Sequence, residues 1–154
     1  MDWFVKAFLK ASLAWLAAGV TLGVAMAAHP GWTVYRAAHE HMNLLGFVTM
    51  MIYGVAYHVI PRFTGVALHS RGLAGAHWWL SNLGLLAMVI GFVIRASGLT
   101  SVGISTSLLA GGGVAAAVGA YLFVFNIWRT IDGTAALALQ ASPVAQIRRA
   151  SAKP

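Results

Sequence analysis

Four long apolar runs, at 11–28, 38–60, 74–94 and 102–127, occupy most of the 154 residues. Each meets or nearly meets the roughly 20 apolar residues needed to cross a bilayer core. Charged residues make up 8% of the chain. A soluble domain carries about 25%. The expectation is therefore an all-α, integral-membrane four-helix bundle, with helices over approximately 5–28, 37–60, 74–96 and 102–128 of a domain at 1–129. The connections are too short to fold on their own. Residues 130–154 read as a mobile cytoplasmic tail, drawn to anionic membrane lipid by Arg148 and Arg149.

The net charge of +7 follows topology rather than a nucleic-acid footprint, so no nucleic-acid partner is expected. With the N-terminus inside, Lys6, Lys10, Arg62, Arg71, Arg129, Arg148, Arg149 and Lys153 share the cytoplasmic side, and only Arg36 and Arg95 lie outside. That bias predicts both termini in the cytoplasm of a bacterial-type inner membrane. Trp3, Trp32, Trp78, Trp79 and Trp128 fall near span ends, as an interfacial aromatic belt does.

Lys6 and Lys10, the first apolar run and Ala25-Met26-Ala27 also have the layout of a cleaved signal peptide. The run is long for that, and Gly19-Val20-Thr21-Leu22-Gly23 has helix-packing spacing, so a retained first helix is expected. Gly111-Gly112-Gly113 and Gly119 give the fourth helix a similar small-residue surface, for contacts within the bundle or between copies. His29-Pro30-Gly31 reads as a helix stop and turn, and Pro61 as the end of the second helix.

No cysteine is present, which excludes disulfides, thiolate metal sites and covalent c-type haem attachment. A bound metal would use His, Met, Asp, Glu or backbone groups. His39 and His41 open the second apolar run, and ionisable groups at membrane depth usually mark chemistry or a cofactor. Two positions on a helix are roughly 200° apart, so the two rings face opposite flanks and serve different centres. Below His39 the helical face carries Asn43, Gly46, Met50, Tyr53 or Gly54, and Tyr57; below His41 it carries Leu45, Val48, Ile52, Val55 and Val59. Glycine removes side chains where a flat ligand or another backbone comes close. A histidine above a smooth apolar stripe suits an axial ligand over a porphyrin, and haem iron takes imidazole readily. His41 is the main candidate ligand and His39 the second, with Gly46 and Tyr57 as cofactor-contact candidates. The alternative for both histidines is simple solvation or a hydrogen bond to a neighbouring helix end.

The run His39-Glu40-His41, then Leu45-Gly46-Phe47-Val48, Gly54-Val55-Ala56-Tyr57-His58-Val59-Ile60-Pro61-Arg62, resembles the His-x-His helix of haem–copper oxidase subunit I. The closest likeness is to the cbb-type cytochrome c oxidases and their nitric oxide reductase relatives. The resemblance implies a high-spin haem on His39 and a low-spin haem on His41. The segment His41-Met42-Asn43-Leu44-Leu45 also resembles a nitric oxide reductase helix whose histidine ligates low-spin haem. About a fifth of the chain carries these likenesses. Family subunits have about twelve helices, arranged as three arcs of four, and this chain is similar to one arc in a short four-helix form. The further histidines of the family's copper or iron site are missing here, so complete oxygen reduction by this chain alone is not expected. Glu40 stands where the family usually has an apolar residue, and can pair with Arg36 one turn earlier.

The implied function is a membrane b-type haem protein, in respiratory electron transfer or in nitric oxide or oxygen binding. It would work as a homo-oligomer or beside respiratory-complex subunits that supply opposing ligands. The alternatives are a cofactor-free assembly or regulatory component, and a copper- or haem-handling membrane protein. Copper(I) could use Met42, Met50 or Met51 with His39 or His41, although methionine in an apolar helix is more often packing filler. His29 is an alternative ligand at the first helix end, where capping explains it as well. His58, His69 and His77, with Arg62 and Arg71, read as a basic rim at the inner face, for lipid phosphate or for a quinone or proton entry.

Overall fold

A computed structural model describes residues 1–99 and 101–141, with side chains described through residue 134. The described residues form four long helices and no strand. The first helix is Trp3–Ala28 and the second runs without a break over Pro30–Thr64. The third is Arg71–Ser97 and the fourth Val102–Ala141. All four are long and apolar enough to cross a membrane, the fourth over Val102–Thr134. The chain is a multi-pass membrane protein.

The first helix packs along the second and the third along the fourth, the latter being the more extensive pairing. Between membrane helices burial from water is no driving force, so close packing and interhelical hydrogen bonds carry association. Gly84 and Gly112 show the packing: a Cβ on either would stand 2.7 or 2.5 Å from the other's carbonyl oxygen. Gly112 of the glycine triplet is thus used within the chain, while Gly111 and Gly113 have nothing within 4 Å of a modest side chain. Gly19 and Gly23 likewise meet Asn43 and His39 of the second helix. Their surface is consumed inside the bundle and is not open for contacts between copies.

Boundaries depart from the sequence expectation most at both ends of the second helix, which opens at Pro30 instead of 37, and at the end of the fourth. The second helix continues through Pro61 to Thr64 and stops at Gly65, whose φ of 67° suits a residue without a Cβ. Arg62 Nη1 donates to the His58 carbonyl and Thr64 Oγ1 to the Ile60 carbonyl, which closes the last turn despite the missing proline N–H. The fourth helix runs past residue 129 to Ala141. Thr130 and Asn126 pin this stretch: the N–H groups of His69 and Ser70 donate to Thr130 Oγ1 and Asn126 Oδ1, at 3.0 and 2.9 Å. The remainder of the expected tail, 142–154, lies outside the described residues.

The buried core gathers near the N-terminal end of the first helix. Phe4, Val5 and Phe8 meet Met50 and Tyr57 of the second helix, Ala74 and Leu85 of the third and Ile127 of the fourth. Tryptophans 3, 32, 79 and 128 are exposed as an interfacial belt requires, but Trp78 turns inward and its buried Nε1 has no partner.

Candidate functional site

The second helix changes geometry just after the histidine pair. An opening 3-10 turn, Pro30–Tyr35, leads into an α-helical segment, Arg36–His41. A π-helical segment, Met42–Thr49, follows before the α-helix resumes at Met50. Thr49 Oγ1 donates to the Leu44 carbonyl five residues back, at 2.8 Å, in step with the wider turn. Such segments inside α-helices are frequent at functional sites.

His39 and His41 leave the helix on different flanks. His39 points at the first helix, where its Nδ1 lies 2.9 Å from the Gly19 carbonyl oxygen. Its Cε1 sits 2.8 Å from where a Cβ on Gly23 would be, so only glycine admits the ring there without a shift. Asn43 Nδ2 donates to the His39 carbonyl at 2.8 Å and fills the space above Gly19. His41 faces the third helix, its ring tilted against Phe92 at 4.7 Å. His41 Nδ1 lies 2.8 Å from the Ala37 carbonyl oxygen of its own helix.

A carbonyl can only accept, so these two contacts are hydrogen bonds in the tautomer that carries the proton on Nδ1; Asn43 Nδ2 also lies 3.3 Å from His39 Nδ1. In that tautomer the lone pair sits on Nε2, and among the described residues no protein group bonds either Nε2. Fixing one ring nitrogen through a backbone carbonyl is the usual means by which a ligating histidine is held in tautomer and orientation. Glu40, between them, takes Arg36 Nε at 2.7 Å as an exposed one-turn pair.

Beside His41 lies a small half-open cavity of about 210 Å3, lined by Glu40, His41, Leu44 and Leu45. Pockets for drug- or cofactor-sized ligands run from roughly 300 to 1,000 Å3. A porphyrin on His41 would extend beyond this cavity, over the outward stripe of Val48, Ile52 and Val55, all exposed. The donor chemistry fits one bond from His41 to a haem iron. Among the described residues no group of three or more His, Cys, Asp or Glu side chains could hold a metal ion.

The other expected site residues lie apart from this pair. His29 is exposed and rests on Trp32 at 5.4 Å. Gly46 is buried, and its missing side chain admits Trp15 and Leu85. Tyr57 belongs to the core at the far end of the helix, where its hydroxyl pairs with His77 Nδ1 at 3.1 Å. Met42 and Met50 are buried, and the Met51 sulfur lies 3.9 Å from Ser12 Oγ.

His77 is the residue that sequence reasoning misplaced. It is not part of a basic rim but fully buried, ringed by Tyr53 at 4.4 Å, Phe8 at 4.8 Å and Phe123 at 5.6 Å. Its Nε2 has no hydrogen-bond partner. The charge-based topology put it at the inner face near the start of the third helix, which gives a depth and not a helix face. The better signal was register: His77, Gly84 and Gly91 repeat every seventh residue, and both glycines face the fourth helix. His58, Arg62, His69 and Arg71 do lie at the surface of that end, Arg71 pairing with Asp2 at 3.3 Å.

No family model matches the chain. It is 29% identical over 130 residues to a protein described as Cbb3-type cytochrome c oxidase subunit CcoN1, from Stutzerimonas stutzeri. The match covers 70% of this chain and 27% of that protein, so the chain spans only a fraction of its relative's length.

Proposed function

We propose that this chain is a membrane b-type haem-binding protein related to one arc of cytochrome c oxidase subunit I. It serves respiratory electron transfer or the binding of nitric oxide or oxygen, in a bacterial-type inner membrane with both termini in the cytoplasm. One observation carries the reading: His39 and His41 each give Nδ1 to a backbone carbonyl and keep Nε2 unbonded. Similarity to the CcoN1 protein supports it. His41 is the axial ligand to a low-spin haem and His39 the ligand to a second, on the opposite flank. When bound, haem iron supplies a one-electron change and, where a position stays open, a site for a diatomic gas.

The residues of this chain orient the imidazoles, and a homo-oligomer or a respiratory-complex subunit supplies the opposing cover. A copper site is less well supported, because the methionines near the pair are buried in packing. The second reading is a cofactor-free assembly or regulatory subunit, in which His39 and His41 do no more than tie their rings to the Gly19 and Ala37 carbonyls.

A visible spectrum of the purified protein separates the two. The haem reading expects a Soret band that shifts on reduction, with the complex larger than one chain in mild detergent. A spectrum without a Soret band after expression with haem supplied sinks it. A haem-loaded strict monomer with six-coordinate iron refutes the shared-ligand arrangement and redirects the search to His29.

A further inference from the structure

A half-enclosed cavity of about 260 Å3 lies at membrane depth between the second, third and fourth helices. Its wall is apolar, with small residues of the fourth helix (Gly113, Ala116, Ala120) making the room. Only Thr49, Tyr53 and Ser81 of its lining carry polar side chains. Thr49 is satisfied by the Leu44 carbonyl.

Ser81 stands out against the other buried hydroxyls. A serine or threonine in a helix normally donates to a carbonyl three or four residues back. Ser12 does so to Leu9, Ser105 to Val102 and Thr130 to Asn126. Ser81 is 6% exposed and makes no such bond, nor any other hydrogen bond among the described residues. The Tyr53 hydroxyl likewise has no hydrogen-bond partner among the described residues, although its ring is packed on Phe8, His77 and Phe123. Unsatisfied hydroxyls are costly where no water competes. Tyr53 and Ser81 line one apolar cavity from two different helices, and each hydroxyl has a proton to donate to an acceptor there.

We infer that this cavity binds a lipid-soluble molecule bearing a carbonyl-type acceptor, held by the Tyr53 and Ser81 hydroxyls. Binding pockets are commonly apolar with a few polar groups that fix orientation, and this one has that make-up. A neutral acceptor is required, since no cationic side chain lines the cavity. Two membrane sources share the chemistry: a quinone ring and the ester carbonyl of an acyl lipid. Leu45 lines both this cavity and the one beside His41, so the two sites adjoin without sharing a polar group. The inference holds whether or not His41 binds haem.

Equilibrium binding of radiolabelled probes to the purified full chain in detergent tests it. The probes are 2-decyl-1,4-benzoquinone, methyl decanoate and carbonyl-free decylbenzene. At least one carbonyl probe should bind saturably and more tightly than decylbenzene, and the better of the two identifies the source. Tyr53→Phe and Ser81→Ala should each weaken it by about three- to tenfold, the range of a single hydrogen bond. Tyr53→Phe keeps the ring contacts, so it removes the donor alone. Ala120→Leu, which fills the cavity, should abolish saturable binding while the helical circular dichroism stays unchanged. Equal binding of decylbenzene, carbonyl binding untouched by both hydroxyl variants, or no saturable carbonyl binding overturns the inference.

Discussion

The two ends of the second helix hold the same chemistry in opposite states. At the His39/His41 end, backbone carbonyls take Nδ1 of each half-buried ring and leave Nε2 without a partner among the described residues. At the Tyr57 end, a phenol takes Nδ1 of His77 and a collar of aromatic rings closes over the rest. The first arrangement presents a ligand atom; the second buries a polar group in packing. Residue type does not separate them, and depth does so poorly. What separates them is which group bonds the ring and what stands at the nitrogen left over.

The largest expected effect pits the two ends against each other. On the proposed reading His41→Ala should lose most of the bound haem, because it removes the nitrogen that would hold the iron. His77→Ala should keep the haem and lower stability instead. It removes an aromatic-sized side chain from a closed collar, a change that costs about 3–5 kcal/mol for Phe→Ala in soluble cores. Haem content by pyridine haemochrome and unfolding in mild detergent read the two effects separately. Equal haem retention in the two variants breaks the comparison.

A smaller and more specific effect distinguishes the two flanks at one end. His39→Ala should spare the low-spin spectrum and weaken binding of carbon monoxide or nitric oxide, because an added ligand needs iron with an open position. Titration of the reduced protein with carbon monoxide, followed optically, measures it. Loss of the low-spin bands with gas binding intact would exchange the roles of the two histidines.

The spans were legible in the sequence because an apolar run of membrane length has few folded alternatives, and opposite flanks for His39 and His41 followed from helical rotation alone. Less legible was anything decided by a partner helix. Pro61 reads locally as a stop, yet Arg62 and Thr64 close one more turn around it. Gly19 and Gly23 announce a close contact without naming what fills it; the answer, Asn43 and His39, is twenty or so residues away. The π-helical segment left no local signature beyond Thr49, whose bond to Leu44 exists only once the turn has widened. His77 was misread because distance from a helix end says where a residue sits along the axis and nothing of which face it occupies.

The smallest expected effect tests whether the first helix orients His39 or merely lies beside it. A Cβ on Gly23 would stand 2.8 Å from His39 Cε1 and 3.3 Å from Nδ1. The imidazole must then move by a few tenths of an ångström, and the 2.9 Å bond from Nδ1 to the Gly19 carbonyl lengthens. Membrane hydrogen bonds of this kind contribute about 0.6–2 kcal/mol, so partial loss should cost less than about 1 kcal/mol of stability. Ring orientation is the more sensitive quantity. Gly23→Ala should weaken carbon monoxide binding a few-fold and leave the low-spin bands of the His41 flank unchanged. Gly31→Ala is the control, since a Cβ there meets nothing within 4 Å, and it should alter neither. If Gly23→Ala perturbs the low-spin bands and spares gas binding, the carbonyl of the first helix is not what aims His39, and the two flanks are not independent centres.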